Sequence, residues 1–150
     1  MQFIHLARIL QRNVSRNHKG RKKDMIQQVQ TGKAPAAVGP YSQAVTANGF
    51  VFLSGMLPIH PESGNIVGST AGEQTEQIMQ NIIGLLSELD LELKDIVKTT
   101  IFLDSIDAFQ SVNEVYGSYF TTHKPARSCV EVAAIPKGAL VEIEAIAIKR

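Results

Sequence analysis

The stretch Phe50-Val51-Phe52-Leu53 constrains this chain most. All four residues are apolar, so at the two-residue period of a strand Phe50 and Phe52 face one way and Val51 and Leu53 the other. A strand of that kind is covered on both faces. Before it, Gln43 to Thr46 reads as a partner strand, and Asn48-Gly49 between the two predicts a tight hairpin. Ser54-Gly55 closes the run, where a glycine lets another group approach the backbone. Covering material is scarce, because only two segments read as helices. The first follows the capping box Thr70-Ala71-Gly72-Glu73 and extends to about Leu89, with Ile78, Ile82, Ile83, Leu85, Leu86 and Leu89 as its apolar stripe. The second runs roughly from Asp107 to Thr122 behind Asp104 or Ser105, with Phe109, Val112, Tyr116, Tyr119 and Phe120 as its stripe.

The remaining strands fall around these helices. Met25 to Gln30 alternates weakly, as an edge strand would. Ile96 to Leu103 is β-branched, with Val97, Ile101 and Leu103 predicted on one face and Phe102 on the other. Two strands close the chain, around Ala126 to Val132 and Leu140 to Ile148. The order β-β-β-α-β-α-β-β predicts an α+β two-layer domain, a mixed sheet with both helices on one face. The second face then lacks cover, and a homo-oligomer that stacks sheet on sheet is the economical way to supply it.

The last two strands carry the chemistry. In the first, Arg127, Cys129 and Glu131 alternate with Ser128, Val130 and Val132. In the second, Val141, Ile143, Ala145 and Ala147 alternate with Glu142, Glu144 and Ile146. Pro136-Lys137-Gly138 is turn chemistry, so the two strands are expected to pair as a hairpin with their apolar faces joined. That register would set Arg127, Cys129, Glu131, Glu142 and Glu144 on one common face. Two readings of this face stay open: a solvated surface with cross-strand ion pairs, or a site. As a site, the planar Arg127 fork matches a small organic acid, and Glu142 or Glu144 would orient water or hold a proton. Cys129 has no histidine near it in sequence and reads as a small buried thiol rather than a nucleophile. Asn113 sits within the apolar stripe of the second helix, either bonded to a loop or placed at a cleft. Pro35 and Pro40 make a stiff arm that presents Tyr41, whose phenol either reaches a bound anion or packs over a sheet edge.

Charge and composition narrow the classes. Fifteen bases face fourteen acids, but residues 1–23 hold seven of the bases and no acid. The other 127 residues therefore carry eight bases against fourteen acids, a net −6, which gives no reason to expect nucleic acid as a partner. Residues 1–24 read as an extension to a domain at 25–150. Three readings of it stay open: an Arg-rich presequence, a disordered basic tail, or leader sequence before a true start at Met25. No run of about 18 apolar residues predicts a membrane span. One cysteine excludes an internal disulfide and a cysteine-built zinc cluster, and the four histidines show no ligand spacing.

Several segments together resemble the RidA/YjgF family, the reactive-intermediate imine deaminases. They are Ala34 to Ala44, Leu53-Ser54-Gly55, Asp95 to Thr100, Ser111-Val112-Asn113, Pro125 to Val132 and Val141 to Ala145. The resemblance implies a chorismate-mutase-like fold and a homotrimer with a central barrel and clefts between subunits. It implies hydrolysis of 2-imino acids, such as 2-iminobutanoate and 2-iminopropanoate, to 2-keto acids and ammonia. These imines descend from enamines that pyridoxal-phosphate dehydratases release. No cofactor or metal is implied, and the implied location is cytoplasmic, or the mitochondrial matrix if residues 1–24 are a presequence. Carried onto this chain, the resemblance has Arg127 grip the substrate carboxylate and Glu142 position the attacking water. Backbone at Gly55 and Cys129 would border the ligand, and Tyr41 and Asn113 would line the cleft. The loop His123-Lys124-Pro125 is shorter than in many relatives, so this chain would build that pocket wall differently. Rival readings are a trimer that only binds small 2-keto acids and, disfavoured by charge and by the lack of a histidine base in the cluster, an endoribonuclease.

Overall fold

The structure is a computed structural model, and it describes residues 26–149. The basic segment 1–24 lies outside the described residues. Six strands form one sheet: β1 (Gln27–Val29), β2 (Ala44–Ala47), β3 (Phe50–Met56), β4 (Ile96–Leu103), β5 (Ala126–Glu131) and β6 (Val141–Ile148). Among the described residues two α-helices, α1 (Ala71–Ser87) and α2 (Phe109–Tyr119), form the layer above it. The predicted α+β architecture with a mixed sheet is the one observed.

Local chemistry explains most elements. Asn48 and Gly49 both take positive φ, 50° and 80°, as a two-residue turn between β2 and β3 requires. Thr70 and Glu73 form the reciprocal capping box at the start of α1. Ile78, Ile82, Leu85 and Leu86 from its stripe are fully buried. Ser105 accepts a hydrogen bond from the Asp107 N–H at 3.3 Å and starts a 3-10 turn, Ile106–Ala108, that leads into α2. The helix proper is therefore shorter than the sequence pattern predicts.

Strand order departs from expectation. The sheet runs β1-β2-β3-β6-β4-β5, antiparallel throughout except for the parallel β4–β5 pair. The expected β5–β6 hairpin does not form. After β4, α2 carries the chain back across the sheet, so β5 must enter parallel to β4, as in any crossover through a helix. The segment from Val132 to Leu140 then straddles the end of β4. The Val132 N–H donates to Leu103 O at 2.9 Å, and the Asp104 N–H donates to Leu140 O at 3.1 Å. Pro136-Lys137-Gly138 still turns the chain, with Lys137 and Gly138 at φ 60° and 68°, but inside that longer loop.

The helix-side face is built from Val51, Leu53, Ile96, Ile101, Leu103, Val141, Ile143, Ala145 and Ala147, all buried. α1 packs on β6 and β3, and α2 packs on α1. A register shift between Ile96 and Lys98 breaks the alternation of β4. Val97, predicted to share a face with Ile101 and Leu103, is for that reason exposed, and Thr99 takes the buried place. Among the described residues, nothing covers the opposite face. Phe50, Phe52 and Val130, on that face, are 41%, 45% and 43% exposed, so the predicted burial of the Phe50 to Leu53 strand on both sides does not occur within one subunit.

Candidate functional site

Register decides how the predicted site residues meet. Arg127, Cys129 and Glu131 on β5 stand beside Thr99, Ile101 and Leu103 of β4, on the helix side. Glu142 and Glu144 on β6 stand beside Phe102 and Thr100, on the open side. The expected common face is thus corrected: Arg127 and Glu142 lie on opposite faces of one sheet. The cause is the intervening β4, which replaces the hairpin register with two separate pairings. Two half-sites result.

The first surrounds Arg127. Its Nη1 donates to Asn113 Oδ1 at 2.8 Å. Its guanidinium carbon lies 5.2 Å from the centre of the Tyr116 ring and 5.7 Å from that of Phe109. Tyr116 is itself fixed, its hydroxyl 2.7 Å from Thr99 Oγ1 in the core. One amide and two ring faces on α2 therefore orient the guanidinium, and its other donors remain for a ligand. Asn113, polar within an apolar stripe, has its partner here; Tyr116 is in the core as periodicity assigns it and also presents its ring to the cation, whereas Phe109, assigned to the core, is 40% exposed and flanks the cation. A cavity of about 390 Å³ opens beside Arg127, Asn113 and Tyr116. Burial raises the Cys129 thiol, with the Arg127 charge pulling the other way. That thiol stays protonated at neutral pH and is no activated nucleophile. Glu131 is not a site carboxylate: its Oε2 accepts from the Ile106 N–H at 2.7 Å, at the start of the turn into α2.

The second half-site joins Tyr41, Gly55 and Glu142 in a cleft of about 610 Å³, with Glu144 and Lys137 at its wall. The Glu142 carboxylate occupies the space beside the Gly55 Cα. A Cβ on Gly55 would stand 1.8 Å from Glu142 Oε1 and 2.8 Å from its Cδ. Glycine is needed there for space, since Gly55 is not among the positive-φ glycines. Burial raises the Glu142 carboxyl from its ordinary value, and the charge of Glu144 adds to the effect. Tyr41 is half exposed, and its hydroxyl accepts from the Val38 N–H at 3.3 Å across the Gly39-Pro40 turn. The arm behind it hangs on Gln43, a buried side chain that the sequence reading passed over. Gln43 Oε1 accepts from the Thr31 N–H at 2.7 Å, and Nε2 donates to the carbonyls of Thr31, Ala34 and Pro35 at 3.0, 3.2 and 2.7 Å. An amide directly before the Ala44-Val45 start of β2 was the available signal.

Among the described residues, no group of three or more His, Cys, Asp or Glu side chains could hold a metal ion, and no helix is long and apolar enough to cross a membrane. His60 Nδ1 accepts from the N–H groups of Glu62 and Ser63 within its own turn. His123 Nε2 lies 2.6 Å from Ile96 O. Neither histidine enters the cleft.

Residues 31–149 match the family model described as Endoribonuclease L-PSP. The human protein named 2-iminobutanoate/2-iminopropanoate deaminase is 41% identical over 121 residues, 81% of this chain and 88% of its own. The chloroplastic Reactive Intermediate Deaminase A of Arabidopsis thaliana is 49% identical over 119 residues, 79% of this chain and 64% of its own. The crystal structure of the YjgF gene product of E. coli superposes with a TM-score of 0.78 at 39% identity, covering 83% of this chain and 99% of that one.

Proposed function

This chain belongs to the Endoribonuclease L-PSP family, the RidA/YjgF proteins, and on that premise we propose that it hydrolyses 2-imino acids to 2-keto acids and ammonia. The observation that carries this reading is the state of Arg127: oriented by Asn113 and two aromatic rings, with no carboxylate bonded to it among the described residues. A fork held in that way suits the carboxylate of a small acid, at about 1.5–3 kcal/mol for a charge-assisted bond. A protonated imine needs no further activation of its carbon. Water adds to C2, the nitrogen takes a proton, and ammonia leaves as the C–N bond breaks. Glu142, its carboxyl held high by burial, has the basicity to orient that water and carry the proton.

Arg127 and Glu142 cannot act together within one subunit, because they lie on opposite faces of the sheet. The reading therefore includes a second copy, whose Arg127 half-site meets the Gly55–Glu142 cleft of its neighbour. Exposed Phe50, Phe52 and Val130 supply an apolar face for that contact. A closed ring, a homotrimer in the simplest case, would make every such contact equivalent.

The test is ammonia and 2-ketobutyrate release from 2-iminobutanoate generated in place by a threonine dehydratase. The full chain should accelerate it, while Arg127→Ala and Glu142→Gln should not. Co-assembling the two inactive variants should restore about a quarter of the sites, since each site draws one residue from each of two subunits. No acceleration by an assembled wild-type protein would overturn catalysis and leave a small-acid-binding protein.

A further inference from the structure

The cavity beside Arg127 has two cations in its wall and no carboxylate. Lys124 lines it together with Arg127, and the other lining side chains are neutral. Lys124 is exposed, and among the described residues neither cation forms an ion pair. This occurs in a chain whose residues 24–150 sum to eight bases against fourteen acids, net −6. Two like charges sharing one concavity repel each other unless a ligand answers both. Their meeting is a product of the fold. Residues 124 and 127 of a regular strand would face opposite ways. Here β5 begins only at Ala126, behind Pro125, and Lys124 comes round to the cavity that Arg127 opens.

Arg127 alone answers the carboxylate next to the imine carbon. A substrate with an ethyl or methyl side chain leaves Lys124 facing nothing of opposite charge within its own subunit. We infer that Lys124 binds a second carboxylate at the far end of the substrate, so that the favoured substrates are 2-imino dicarboxylic acids. This rests on the imine-hydrolase reading and names its substrate class. Lysine suits the role, since its ammonium is a point charge on a flexible stem and meets side chains of one or two methylenes equally well. The reaction is unchanged: water adds to C2, the C–N bond breaks, ammonia departs, and both carboxylates remain as they were.

The test compares kcat/KM for 2-iminoglutarate and 2-iminobutanoate, each formed in place by an amino-acid oxidase, in full-length protein. Wild type should favour the dicarboxylate. Lys124→Met should lower the ratio of the two kcat/KM values about tenfold, mainly through KM, as loss of one exposed charge-assisted contact predicts. Lys124→Arg should keep the ratio. A ratio unchanged in Lys124→Met overturns the inference, because a lysine paired with a neighbouring subunit would affect both substrates alike. So does a wild type that prefers 2-iminobutanoate, which leaves the imine-hydrolase reading intact. Calorimetric titration with 2-oxoglutarate and 2-oxobutanoate separates the two failures. If neither imine is hydrolysed, tighter binding of 2-oxoglutarate that depends on Lys124 upholds the two-anion site, and equal binding overturns it.

Discussion

Gly55→Ala isolates the contact between β3 and Glu142. The new Cβ would stand 1.8 Å from Glu142 Oε1, where ordinary contact begins at 3.4 Å, so the oxygen must retreat by 3.4 minus 1.8, or 1.6 Å. The backbone does not resist the change, since Gly55 lies outside the positive-φ set, and alanine in a strand is favoured over glycine by about 0.5–1 kcal/mol. The fold should therefore survive. Displacing a reacting group by about 1 Å costs on the order of 100-fold in rate. The expected result is a kcat lowered by about 100-fold or more, with KM little changed because Arg127 is untouched. Steady-state ammonia release reads this directly. The double variant Gly55→Ala/Glu142→Gln adds a stricter check, since it should be no slower than Glu142→Gln alone if the alanine acts only through the carboxylate. A Gly55→Ala protein within a few-fold of wild type, or two penalties that multiply, would refute the placement of Glu142 in the reaction.

Other expectations rest on separate contacts. Asn113→Ala removes the 2.8 Å bond to Arg127 and should lower kcat/KM about tenfold, through KM, with the melting temperature unchanged. Gln43→Ala strips four hydrogen bonds from the Tyr41 arm and should cost about 1–3 kcal/mol in denaturant unfolding; an equally stable variant would mean the arm holds without it. The raised Glu142 carboxyl works as a base only when ionised, so kcat should climb with pH along a limb displaced upward from that of an ordinary glutamate. Glu144→Gln should move that limb to lower pH by removing the second cause while burial remains, and an unmoved limb would assign it to another group. A carboxyl raised in the folded state contributes stability at low pH that is lost as pH rises through its folded value. Glu142→Gln, neutral throughout, should therefore gain on wild type in unfolding experiments at neutral pH, and the gap should close in acid.

Much of this protein was legible in its sequence because the relevant signals are local. Asn48-Gly49 dictates a turn whichever strands flank it, Thr70 and Glu73 cap α1 across three residues, and the stripe Ile78 to Leu86 is a consequence of helical period. The residues of the site were legible by type: an arginine, a carboxylate after an apolar alternation, a glycine at a strand end, an amide in an apolar stripe. Their partnership was not. Alternation says which residues of one strand share a face, but it carries no information on which strand lies next to it. α2 returns the chain across the sheet, β5 pairs parallel with β4, and β6 enters between β3 and β4. That one topological choice puts Arg127 and Glu142 on opposite faces and spends Glu131 on the start of the turn into α2. It also brings Lys124 into the cavity beside Arg127. Periodicity acts over a few residues and was fixed by the chain itself; strand order follows from burying helices and sheet together, and only the tertiary structure could decide it.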